Sequence, residues 1–219
     1  MLLGVQKMTN MTDKIKILLK AYGEELTLEQ ITKILANRNE KFKDEIKQAI
    51  PELLSANLIN QTADNTYKTA CENRPNFFYV FQNLSFTKEF AASCLFCPHS
   101  PANHTYPFWE SIGDVRKGDI IFHEFDKSVV AISEAQSEAR NADKPYDLDK
   151  PESGRVLNTL YSSLLGQVQP FTLKDELLPA QPEKLGPFDR NGKGKEGYLF
   201  NFNDECAKII INGILKNSK

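Results

Sequence analysis

The residues best suited to chemistry lie in one stretch of the chain. Tyr106-Pro107-Phe108-Trp109 carries the only tryptophan, Gly118-Asp119 opens an apolar strand ending at His123, and a second apolar strand reaches Ser133. Apolar strands around a lone indole and a few polar side chains are what a pocket for a flat, polar-edged ligand needs. A nucleobase taken out of a duplex is such a ligand, because its faces stack and its edge hydrogen-bonds. Trp109 is then the leading stacking platform, with Phe108 as its neighbour or substitute. Gln82 and Asn83, at the end of an earlier strand, are candidates for reading the base edge, and Tyr161 is a candidate wall. His123 and Ser133 either face the pocket or are satisfied inside the fold. Gly118 and Asp119 read as turn-formers.

Phosphate contacts are expected from loops. Arg190, Lys193 and Lys195 share a glycine-rich stretch, Gly186 to Gly197, whose backbone can approach a duplex closely. Arg155, Lys144 and Arg140 are secondary candidates. The same stretch is no nucleotide-binding loop, since five residues separate Gly186 from Gly192 and Gly194 follows Lys193 where Ser or Thr is needed. Cys94-Leu95-Phe96-Cys97, with His99 and His104 beyond, has the ligand types for zinc. Leu95 and Phe96 read as buried helix residues and no second such pair exists, so the preferred reading is packed thiols, with no metal and no cofactor. No zinc-protease, nucleophile-elbow or nuclease signature is present, and the chain is expected not to be an enzyme.

These residues need elements to position them. Ile15, Leu18 and Leu19 have helical spacing, Thr27 with Gln30 resembles a capping box before a second helix, and Ile46, Ile50, Leu53 and Leu54 mark a third, with Pro51 inside it. Residues 58–68 read as two short strands joined at Asp64-Asn65. Three helices and a hairpin over 12–70 form the winged-helix pattern, after a flexible lead-in at 1–11. Its cluster of Arg38, Lys41, Lys43 and Lys47 is interleaved with Glu40, Asp44 and Glu45, so DNA contact and a solvated mixed-charge face both remain open. A polar, Pro-bearing segment at 70–76 marks the boundary to a second unit, 77–219. There Phe77 to Gln82 reads as a strand buried on both faces, Lys88 to Leu95 as a short helix, 119–125 and 128–135 as strands turning at Asp126-Lys127, and Arg155 to Tyr161 as another strand. A closing helix, Asp204 to Leu215, buries Ala207, Ile210, Ile211 and Ile214.

The net charge of −2 leaves any nucleic-acid affinity to a local basic surface rather than a global field. No apolar run approaches a membrane span, and the four cysteines are too few and scattered for a disulfide framework, so the chain reads as cytoplasmic, with no membrane partner.

The order "FFYVFQN", "HTYPFWESIGDVRKGDIIFH", "VVAISEA", a proline loop, "GRVLNTLYSSL" and "GPFDRNGKGKEGYLF" resembles an EVE-type domain of the PUA/YTH superfamily. More narrowly, it is similar to the DNA-reading domains of modification-dependent restriction enzymes, such as 5-methylcytosine-specific restriction enzyme B and EVE-like HNH endonucleases. The resemblance spans roughly Phe77 to Leu215. It implies an α+β chain, a winged helix followed by a small curved β-barrel with flanking helices. It also implies a partner: double-stranded DNA whose methylated or hydroxymethylated cytosine is flipped into an aromatic pocket, with a nuclease or NTPase domain or subunit supplying any cleavage. A winged-helix transcription regulator with a ligand-sensing barrel and a reader of modified RNA are the alternatives.

Overall fold

The computed structural model describes residues 9–100, 102 and 104–217. Among them the chain is mixed α+β, with seven α-helices, a small three-stranded sheet and a larger curled one. Most of the expected lead-in, residues 1–8, lies outside the described residues, and Met11 already opens a helix.

α1 (Met11–Tyr22) begins where the Asn10 side chain accepts the Asp13 N–H at 2.8 Å. β1 (Leu26–Thr27), a two-residue strand absent from the sequence reading, leads into α2 (Leu28–Leu35). There Thr27 Oγ1 accepts from Gln30 N at 3.2 Å while Gln30 Oε1 accepts from Thr27 N at 2.8 Å, so the expected capping box forms. α3 (Glu40–Ser55) buries Ile46, Ile50 and Leu53 and accommodates Pro51. β2 (Ile59–Ala63) and β3 (Thr66–Thr69) form the hairpin, and the sheet order is β1-β3-β2.

Residues 70–76 hold no helix or strand. β4 (Phe77–Phe81), α4 (Phe86–Ala92), β5 (Cys94–Pro98) and the single-turn α5 (Pro107–Glu110) follow, α5 running into a 3-10 turn at Ser111–Asp114. Then come β6 (Ile120–Phe125), β7 (Ser128–Ala135), β8 (Arg140–Asp143), β9 (Ser153–Val168), α6 (Lys174–Ala180), β10 (Leu199–Phe202) and α7 (Asp204–Asn217). The expected helix over Lys88 to Leu95 is corrected: α4 stops at Ala92, Ser93 turns with φ 52°, and Cys94 to Pro98 is a strand paired to β9. The strand read at Arg155 to Tyr161 is more than twice as long, because β9 pairs with β5 and β8 along its first half and with β7 along its second.

The large sheet runs β10-β4-β6-β7-β9-β5, with β4 and β6 parallel and the other pairs antiparallel. It is a curled half-barrel rather than a closed barrel, with β10 and β5 at the two ends of this order and β8 paired to β9 off the path. Successive strand residues face opposite sides. Phe77, Tyr79, Phe122 and Phe200 face outward into a core shared with α1, α2 and α7, which is continuous across the 70–76 segment. Lys20 of α1 pairs with Glu134 of β7 at 2.8 Å at that contact. Phe78, Val80, Ile121, Leu157 and Leu199 face inward. β4 is therefore buried on both faces, which is why its sequence does not alternate.

Candidate functional site

The interior of the half-barrel changes character along the strands. One end is the apolar cluster around Phe78, Val80 and Ile121. The pleat continues from Val80 to Gln82, from Ile121 to His123, from Ala135 to Ser133 and from Leu157 to Tyr161, and these four candidate residues form one buried polar layer. Gln82, His123 and Ser133 are fully buried and Tyr161 nearly so. Ser133 Oγ lies 2.7 Å from His123 Nε2, and His123 Nδ1 lies 2.6 Å from Gln82 Oε1. Gln82 Nε2 donates to Glu89 Oε2 and stands 3.4 Å from the Tyr161 hydroxyl.

Glu89 of α4, which the sequence reading missed, is the hub. Its carboxylate also accepts from Ser85 Oγ (3.2 Å), Phe96 N (3.0 Å), Tyr146 OH (3.0 Å) and Tyr198 OH (2.8 Å). A carboxylate only accepts, so Gln82 turns its NH2 toward it and its carbonyl toward His123. Nδ1 therefore carries the imidazole proton and Nε2 accepts from Ser133. Burial holds His123 down at about 3, so the ring is neutral at physiological pH. Burial raises the Glu89 carboxyl, opposed by the hydrogen bonds from Gln82, Tyr198, Phe96 and Tyr146. A register shift between His123 and Glu124 lies beside this layer, as bulges next to sites commonly do.

Tyr198, just before β10, bridges to the end strand β5 at a seam. Tyr198 OH reaches Phe96 N of β5 at 3.2 Å, and α5 with its 3-10 turn straps the outside. Ser111 Oγ donates to Leu199 O at 2.7 Å, and Glu110 pairs with Arg155 at 2.5 Å. Trp109 sits in this strap, half-buried against the Phe78–Leu199 cluster. Its indole lies 4.8 Å from the Tyr106 ring, which is 40% exposed and itself 4.3 Å from His104. Trp109 is thus neither sealed in the core nor free on the surface. Phe108 points the other way, with its ring 4.5 Å from Phe200 in the outer core, and is no substitute platform. Asn83 is exposed in the turn after β4 and does not join Gln82 in the layer.

The glycine-rich loop is a built turn. Asp189 Oδ1 accepts from Asn191 N (2.8 Å) and Lys193 N (2.9 Å), Phe188 bridges Gly194, and Gly192 adopts φ +79°. Its amides bond within the loop, and the side chains of Arg190 and Lys193 are exposed. Lys195 instead donates to Gly186 O at 2.7 Å and belongs to the loop's own structure. Arg155 is engaged with Glu110, and Lys144 pairs with Glu152 at 3.0 Å. In the N-terminal unit a groove of about 780 Å³ between α2, α3 and the hairpin turn is lined by Lys33, Arg38, Lys43 and Lys47. Three of these pair with neighbouring acids, Lys33 with Glu29, Lys43 with Glu40 and Lys47 with Asp44.

Cys94 and Cys97 are buried in β5, where burial pushes both thiols up to about 12. Among the described residues no group of three or more His, Cys, Asp or Glu could hold a metal, and no helix is long and apolar enough to cross a membrane. Comparison with protein-family models and with curated protein sequences finds no match to this chain.

Proposed function

We propose that this chain binds double-stranded DNA carrying a modified cytosine and reads it by taking the base out of the stack at the seam of the half-barrel. In this reading the helix-strand-helix-helix-strand-strand order of residues 11–69 is a winged helix and the curled sheet is an EVE-like reader. The observation that carries it is the seam itself. An indole half in and half out of the fold, with the Tyr106 ring beside it, packs against the apolar end of an interior whose polar groups, farther along the strands, are already fixed by one another.

The energetics suit that use. Extruding a base costs a few kcal/mol, and stacking on aromatic rings returns about 1–3 kcal/mol per base. A mismatched buried donor or acceptor costs roughly 1–3 kcal/mol, which supplies the identity check. A methyl group adds only about 0.8 kcal/mol of burial, so discrimination for it rests on fit and is modest. The ordered chain from Ser133 to Glu89 keeps the interior donors and acceptors in one arrangement, which is what such a check needs. Arg190 and Lys193 supply phosphate contacts, and cleavage is assigned to a partner nuclease or NTPase. The low basicity of His123 fits a positioning role better than proton transfer at neutral pH.

The test is binding to duplexes that differ only at one cytosine: plain, 5-methyl or 5-hydroxymethyl, with RNA of the same sequence as a fourth arm. Tighter binding to one modified duplex is the expected result. Equal affinity for all the DNAs, or preference for the RNA, overturns the reading.

A further inference from the structure

α4 is held by one buried acid and two half-buried rings. Its only buried residue is Glu89. Phe86 and Phe90 are half-buried, lying 5.2 Å from Phe125 and 5.0 Å from Tyr161, and Leu84 just before the helix is 95% exposed. The helix has seven residues and no side-chain cap at its start, so it has no stability of its own. On its outer side Lys88 meets Asp147 at 2.7 Å. A carboxylate lifted into water regains hydration, whereas a lifted apolar side chain forfeits its transfer free energy. α4 therefore opens at a smaller cost than unfolding the sheet beneath it.

What Glu89 touches is organised for something of its shape. Two adjacent acceptor atoms on a flat edge meet donors fixed on four other segments: Gln82 Nε2 after β4, Phe96 N in β5, Tyr146 OH before β9 and Tyr198 OH before β10. The O2 and N3 atoms of a cytosine present the same two-acceptor edge. The Tyr161 ring, 4.5 Å from the His123 ring, offers a face beside it. We propose that Glu89 is a built-in stand-in for the acceptor edge of an everted pyrimidine, and that α4 is a lid that must lift for the base to replace it. This rests on the base-reading function above and carries it one step inward, placing the edge of a base that enters at the Trp109 seam where Glu89 now sits: the chain competes with its own ligand.

Hydrogen exchange on the whole chain tests it, first without DNA. The Phe96 N–H faces Glu89 and Tyr198 from an edge strand, so it reports on the lid. It should exchange at least about 100-fold faster than the central β6 amides. Exchange of Phe96 only at the rate of those β6 amides overturns the lid. With a duplex carrying the preferred modified cytosine, the amides of Glu89 to Ser93 should lose protection. Binding that leaves them unchanged or better protected overturns the stand-in while leaving the functional reading intact. If no modified duplex binds, the functional reading fails and this occupant with it, and exchange without DNA still decides whether α4 opens. Glu89→Gln, which sets an NH2 against the same donors, should raise Phe96 exchange and tighten modified-duplex binding about tenfold by raising the open population. A folded Glu89→Gln protein with unchanged exchange contradicts the proposal.

Discussion

Replacing His123 with asparagine should flatten the acid limb of the protein's stability curve. The wild-type ring is fully buried, bonded on both nitrogens, and held at about 3. In the unfolded chain a histidine titrates near 6.5. Between these values the unfolded state binds a proton that the folded state refuses, so wild-type stability is present above about 6.5 and is lost as pH falls through that window. Going from about pH 7.5 to about pH 5.0, the linkage relation gives a loss of about 2 kcal/mol from this one residue. Glu89 and Glu124, both raised chiefly by burial, act with the opposite sign, because a carboxyl with a raised folded value loses stability as pH rises. They are present in both proteins and cancel to first order in the difference. His123→Asn itself should cost about 1–3 kcal/mol near neutral pH, since Ser133 and Gln82 lose a matched partner. Urea unfolding followed by the fluorescence of Trp109, the sole tryptophan, measures both proteins at each pH. The wild-type advantage should shrink by about 2 kcal/mol across the range. Parallel stability curves would refute the buried neutral imidazole and the proton assignment built on it.

Of four cysteines only Cys71 is exposed, so a thiol reagent should modify one site quickly and Cys94, Cys97 and Cys206 only after unfolding; rapid paired labelling of Cys94 and Cys97 would contradict their packing in β5. At Gly154 an added Cβ would stand 2.4 Å from Cys97 O and 2.7 Å from the Phe96 ring, so Gly154→Ala should lower stability by about 1–3 kcal/mol in thermal or urea melts. Lys193→Ala should weaken binding to all duplexes alike and reduce the salt slope by about one. Lys195→Ala, which removes the bond to Gly186 O, should instead lower the melting temperature, and the reverse pattern would mean the loop is assigned wrongly.

Much of the frame was legible because it rests on local signals. The apolar spacing of Ile15, Leu18 and Leu19, the Thr27–Gln30 box and the Asp126-Lys127 turn, both of whose residues take positive φ, are written within a few residues of where they act. The site was legible in part: the strand period that places Val80 inward also places Gln82 inward, and the same holds for Ile121 and His123. Asn83, one residue on, falls outside that period and is exposed. Adjacency in sequence groups Phe108 with Trp109, yet neighbours on a helical turn diverge and the two rings pack against different clusters. Glu89 was not legible, since a glutamate in a short polar-faced helix reads as solvated. Its burial follows from donors on β5 and before β9 and β10, up to 109 residues away. Cys-Leu-Phe-Cys has no alternation to mark β5 as a strand, and its pairing with β9 is a long-range fact no local window contains.

The central claim is that an everted modified base stacks at the Trp109 seam. Because Trp109 is the only tryptophan, its emission during titration with a duplex carrying one modified cytosine reads that contact directly. Quenching that saturates with binding, is weaker for the plain duplex, and is accompanied in Trp109→Ala by loss of the preference for modified DNA is the predicted result. Full binding of the modified duplex with unaltered indole emission, or an undiminished preference in Trp109→Ala, would contradict it.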